Sequence, residues 1–145
     1  MASNRKYKLT KEETKHLLSL YEDMGYYEES ALYELNDLVS YFNNLNDTLK
    51  LYRVICADSE GEINKKYLGS HYSNNKRTLL SNHYNRGSVY GHCKGEKMFL
   101  LTVECNKRQM DVMETLSNNI LYPHEEEITL SNKGYGCKIL NIEEL

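Results

Sequence analysis

Proline occurs once among 145 residues and glycine eight times, which excludes collagen-like repeats and proline-rich linkers. No stretch approaches the roughly 20 apolar residues that a membrane helix requires. The basic opening Met1-Ala2-Ser3-Asn4-Arg5-Lys6-Tyr7-Lys8 is followed by no apolar segment of the kind a secretory leader carries. A cytoplasmic protein with no membrane partner is therefore expected. None of the four cysteines (Cys56, Cys93, Cys105 and Cys137) forms a CxxC pair, and all four thiols are expected to be reduced. His83, His92 and Cys93 match no zinc-ligand spacing, so no metal is expected. The phosphate-cradling GxGxxG and GxxxxGK[ST] loops are missing, as is the GxSxG nucleophile elbow.

What is present is a single domain's worth of ordinary globular sequence, 40% hydrophobic and 27% charged. The net charge of −3 is unevenly spread. Residues 1–50 hold six basic against nine acidic side chains, residues 51–110 ten against five, and residues 111–145 two against seven. A basic middle between acidic flanks suits a phosphate-bearing ligand better than a nucleic-acid coat, although a patchy surface without function has the same signature.

The first third reads as helical. Thr10 and Glu13 form a capping box, Leu17, Leu18, Tyr21 and Met24 recur at helical spacing, and Gly25 is placed to end the helix. A second helix is expected from about Glu28, with Leu32, Leu35, Val39 and Phe42 as its apolar stripe, extended by Leu38 and Leu45. From Thr48 the period becomes strand-like. Strands are expected around 48–56, 64–73, 98–105, 127–130 and 136–142, with a short Asn-capped helix at 74–84 and a glycine-bearing loop at 85–97. The result is an α+β domain over residues 1–145: a helical lead-in at 1–47 and a mainly antiparallel β-core at 48–142.

Three features could carry chemistry. Arg53 lies inside the apolar run Leu51-Tyr52-Arg53-Val54-Ile55-Cys56, so it either meets a carboxylate, forks onto a phosphate in a cleft, or sits on an exposed strand face. Ser73, in Tyr72-Ser73-Asn74 at a strand-to-helix junction, either caps the helix or orients a catalytic carboxylate or ribose. In Pro123-His124-Glu125-Glu126-Glu127-Ile128-Thr129-Leu130, an extended chain would place Glu125 and Glu127 on one face and Glu126 on the other. The run is otherwise a solvated acidic turn.

In this order the three features resemble the Arg–Ser–Glu class of mono-ADP-ribosyltransferases, shared by bacterial toxins and phage-encoded enzymes. Tyr52-Arg53 would be the arginine strand, Ser73 (or Ser70, within Ser70-His71-Tyr72-Ser73) would replace the family's Ser-Thr-Ser, and Glu125-Glu126-Glu127 would be the Glu-x-Glu motif. Residues 132–140 resemble the family's closing hairpin.

The resemblance implies a split β-sandwich binding NAD as co-substrate in a cleft. Arg53, Tyr52 and Ser73 would be the NAD-binding residues, with Arg53 on the pyrophosphate and Ser73 positioning Glu127. Glu127 would bind the 2′-hydroxyl of the nicotinamide ribose and stabilise the oxocarbenium-like transition state. Glu125 would orient the acceptor, with a protein arginine favoured. The implied protein is a small phage or bacterial effector with a protein substrate; nucleic acid is not expected. Three alternatives stay open: an NAD glycohydrolase on the same fold, a nucleic-acid binder using the basic, tyrosine-bearing stretch Lys65–Arg86, and a non-enzymatic protein-binding inhibitor.

Overall fold

The computed structural model describes residues 6–86 and 97–145, with residues 82–86 described by their backbone alone. The expected loop at 85–97 falls largely outside these residues, as do His92 and Cys93.

The capping box forms as its spacing requires. Glu13 N donates to Thr10 Oγ1 (3.1 Å) and Thr10 N to Glu13 Oε1 (2.9 Å), opening α1 (Lys11–Asp23). Gly25, at φ +96°, turns the chain out of the helix, a conformation that a Cβ would strain. Helix α2 (Glu28–Asn43) buries Ala31, Leu35 and Phe42, while Leu32 stands 44% exposed. The buried stripe thus starts at Ala31, one residue earlier than expected. The end of α2 is capped from far along the chain: buried Lys107 donates through Nζ to Asn43 O (3.1 Å) and, just past the helix, to Leu45 O (3.0 Å), 5.4 Å from the Tyr7 ring centroid.

Five strands make one antiparallel sheet in the order β4-β2-β1-β3-β5. These are β1 (Thr48–Ala57), β2 (His71–Ser73), β3 (Lys97–Asn106), β4 (Glu127–Thr129) and β5 (Lys138–Glu144). Strands β1 and β3 pair continuously from Thr48↔Asn106 to Ala57↔Lys97, and β5 adds to β3 with a register shift at Thr102/Val103. By contrast, β2 joins β1 through the single pair Tyr52↔Ser73, then pairs with β4 from His71↔Thr129 to Ser73↔Glu127. The described strands therefore form one sheet with a narrow seam rather than two stacked sheets. Its apolar residues, including Leu49, Leu51, Leu101, Val103 and Ile128, join Leu17, Leu35, Phe42 and Leu116 of the helices in one core.

Three expectations and one omission need correcting. Only His71–Ser73 of the expected strand 64–73 is extended. Asn64 Oδ1 accepts from Lys66 N and Tyr67 N, folding the chain into a turn, and Gly69 at φ +97° bends it again. Residues 106–122, unassigned from the sequence, contain a further helix, α4 (Val112–Leu121), capped by Asp111. The Pro123–Glu125 segment is a 3₁₀ turn, not extended chain. Cys56 is disulfide-bonded, so the four cysteines are not all reduced; Cys105 and Cys137 are free. The short helix at 74–84 is present as α3 (Lys76–Arg86), capped by Asn75, whose Oδ1 accepts from Thr78 N (3.1 Å).

Candidate functional site

The narrow ladder of β2 and β4 gathers most of the chemistry. Glu127 opens β4 opposite Ser73, and its side chain is 19% exposed. One carboxyl oxygen is held by three groups. Asn118 of α4 donates through Nδ2 to Glu127 Oε2 (2.6 Å), Thr129 Oγ1 donates to the same oxygen (3.0 Å), and His71 Nδ1 lies 3.0 Å from it. Asn119 fixes the backbone beneath by donating to Glu127 O (2.7 Å). The other oxygen, Oε1, has no partner among the described residues. A carboxyl group so tethered has its direction set before any ligand arrives, with one acceptor left to bind.

Ser73 is buried beside this group without touching the carboxyl. Its Oγ lies 3.1 Å from Asn75 O and 3.3 Å from Glu126 O, and it accepts from Asn75 N (3.1 Å). Ser73 therefore holds the start of α3 and the turn before β4, while the tethering expected of it is done by His71, Asn118 and Thr129. Ser70 enters through its backbone, its carbonyl accepting from Leu130 N (2.8 Å). Tyr52 is half-buried on the register row that runs through Ser73 to Glu127.

Arg53 reaches the same place from the other side of the sheet. Strand alternation sends it to the face opposite Tyr52, where it lies 5.9 Å from the Tyr72 ring. Its Nη1 donates to His71 O (2.7 Å), and its buried Nε has no partner. No described carboxylate pairs with it. Gly69 makes room for the guanidinium: a Cβ there would lie 2.9 Å from Arg53 Cζ. Arg53 borders a cavity of about 160 Å³ with Asn64, Tyr67 and Leu68. His71 thus bridges the two faces, its carbonyl bound to Arg53 and its ring to Glu127.

Glu125 and Glu127 do not share a face. Glu126 takes the left-handed conformation (φ 47°, ψ 47°), which breaks the alternation. Glu125 is exposed in the turn, 3.9 Å from His124 Nε2, while Glu126 turns inward and accepts from Thr78 Oγ1.

No family model matches the chain, and no curated protein or solved structure matches it. Any functional reading of the Glu127 centre rests on its own geometry.

Sequence reasoning missed Asn118 and Asn119, which lie in the unassigned helix, and gave His71 no role of its own. The usable signal for the asparagines was the i, i+1 pair on an amphipathic helix whose buried side carries Thr115, Leu116 and Ile120. Among the described residues, no three His, Cys, Asp or Glu side chains are grouped to hold a metal ion.

Proposed function

We propose that the protein is an NAD-dependent mono-ADP-ribosyltransferase. The observation that carries this reading is the Glu127 carboxyl, locked through Oε2 by Asn118, Thr129 and His71 while Oε1 stays open. In the proposed reaction Oε1 accepts a hydrogen bond from the 2′-hydroxyl of the nicotinamide ribose. The glycosidic C–N bond breaks, nicotinamide leaves with the bonding electron pair, and the negative field of Glu127 stabilises the oxocarbenium character that develops. A protein nucleophile then bonds to the anomeric carbon and releases a proton. Arg53 has no carboxylate partner among the described residues, but it lies on the sheet face opposite Glu127 with its Nε buried, so the pyrophosphate role expected of it is a separate test and not support for this reading. The described strands form one five-stranded sheet, so the split β-sandwich that the resemblance implies lends this reading no support.

One observation favours water as acceptor instead. Glu125, the expected acceptor-orienting group, is exposed and set off from Glu127 by the left-handed Glu126. The glycohydrolase is therefore kept as a second reading. Incubating labelled NAD with a bacterial lysate separates the two: a labelled protein band that disappears in Glu127→Gln supports transfer, and free ADP-ribose without a band supports hydrolysis. Absence of nicotinamide release by the wild type, alone and with lysate, would reject both.

A further inference from the structure

A cavity of about 290 Å³ lies between α2, α4 and the turn that carries Glu126. Three tyrosines (Tyr21, Tyr26 and Tyr41) and three acids (Glu34, Asp37 and Glu126) line it, and no Lys or Arg does. None of the three carboxylates forms an ion pair among the described residues. Tyr21 is buried (6% exposed), and its hydroxyl, which has no hydrogen-bond partner among the described residues, keeps accessible surface on the cavity. Burial first, then the nearby charges of Glu34, Tyr26 and Asp37, push that hydroxyl up to about 12. The ring of Tyr26 meets that of Tyr21 edge-on at 5.2 Å, and Tyr41 Oη is fixed by Asn74 Nδ2 at 2.8 Å.

The lining is thus rich in acceptors and π-faces and carries uncompensated negative charge. An anion would add repulsion, and a neutral ligand would gain nothing from the charge of the three carboxylates, of which Glu34 and Asp37 are exposed and Glu126 accepts from Thr78 Oγ1. The carboxylates are not grouped to hold a metal ion. A nitrogen cation with N–H donors satisfies both sets of groups, donating to the acids and to the orphaned Tyr21 oxygen while its positive face meets the rings. We propose that this cavity binds the guanidinium or primary ammonium end of an alkyl ligand, either a free amine or a polypeptide side chain. The proposal does not depend on the reaction assigned to Glu127, since the Tyr21, Glu34 and Asp37 walls belong to the helices and binding requires no NAD.

The test is a nuclear magnetic resonance titration of the full chain, without NAD, at constant ionic strength. The probes are ethylguanidinium and its neutral isostere N-ethylurea. The expected result is saturable movement of the Tyr21 and Tyr26 ring signals with ethylguanidinium, at least about ten-fold weaker with N-ethylurea. The double variant Glu34→Gln/Asp37→Asn changes two exposed helix positions, so its helical circular dichroism should match the wild type, and it should bind ethylguanidinium at least about ten-fold more weakly. Lack of saturation by about 50 mM, equal binding of N-ethylurea, or unchanged affinity in the double variant would each overturn the proposal. Agmatine and an acetylated, amidated Gly-Arg-Gly peptide then identify the source. Tight binding of agmatine alone supports a free amine, and comparable binding of the peptide supports a side chain.

Discussion

His71 Nδ1 lies 3.0 Å from Glu127 Oε2, across a pair of strands only three residues long. The contact makes His71 a positioning residue, holding a carboxyl whose free oxygen would touch substrate. If Glu127 acts as proposed, His71→Ala and Asn118→Ala should slow nicotinamide release by about 10–100-fold with little change in the KM for NAD, because misplacement of about 1 Å has that order of effect. Glu127→Gln, which keeps the shape of the side chain, should slow it more. A KM effect without a kcat effect in His71→Ala would remove the positioning role.

Arg53 and Gly69 are a matched pair. An alanine at position 69 would need φ near +97° and would place its Cβ 2.9 Å from the guanidinium. Gly69→Ala should therefore cost about 1–3 kcal/mol of stability in urea denaturation. If Arg53 takes the NAD-binding role expected of it, Gly69→Ala and Arg53→Ala should both weaken NAD binding in calorimetry. Loss of stability with NAD affinity intact would separate Arg53 from ligand binding.

Alkaline pH should weaken the fold through Tyr21. Its pKa is about 12 in the folded state against 10.0 for the unperturbed side chain. The unfolded chain therefore releases this proton first as pH rises. The stability from this group is fully present below pH 10, declines as pH rises towards 12, and amounts to about 3 kcal/mol. Tyr21→Phe should flatten the loss of stability over that interval in circular-dichroism melts. An unchanged slope would show that Tyr21 ionises in the folded state as freely as in the unfolded one.

Cys105 and Cys137 divide one hydrogen bond unequally. That bond and burial push the Cys105 thiol up, while the same bond draws Cys137 down. Since Cys105 is buried and Cys137 half-buried, iodoacetamide near pH 8 should label Cys137 first and Cys105 only on unfolding. Peptide mapping by mass spectrometry reads the order directly, and prior labelling of Cys105 would reverse the assignment.

Local rules were legible in the sequence where nothing distant competed with them. Thr10 and Glu13 cap α1 with a bond at each end of a four-residue segment, and the apolar run Leu49, Tyr52, Val54, Ile55 and Cys56 was enough to mark β1. Leu32 was a poor guide because periodicity marks an apolar arc without saying which edge of it meets α1. Leu68 looks like a strand residue, but Asn64 bends the chain before it and the Gly69 amide bonds to Lys133 O, across 64 positions of sequence. The acid run was the hardest segment. The left-handed turn at Glu126 is held by Thr78, and the carbonyl of Glu126 meets the Ser73 hydroxyl. Neither partner is near it in sequence. Glu127 and Arg53 were legible as chemistry-bearing residues, whereas their common neighbour His71 was not, because its two contacts come from strands on either side of it.

The lone pair Tyr52↔Ser73 has a dynamic consequence. The long β1–β3–β5 ladder has many amide bonds to break at once, whereas β2 and β4 are attached to it by very few. Hydrogen exchange should resolve two cooperative units, with His71, Ser73 and Ile128 amides exchanging through an opening that leaves Leu101 and Val103 protected. A ligand held by the Glu127 carboxyl, which His71 touches, would fasten β2 in place. Its arrival should be recorded as slowed exchange along β2, far more than along β3.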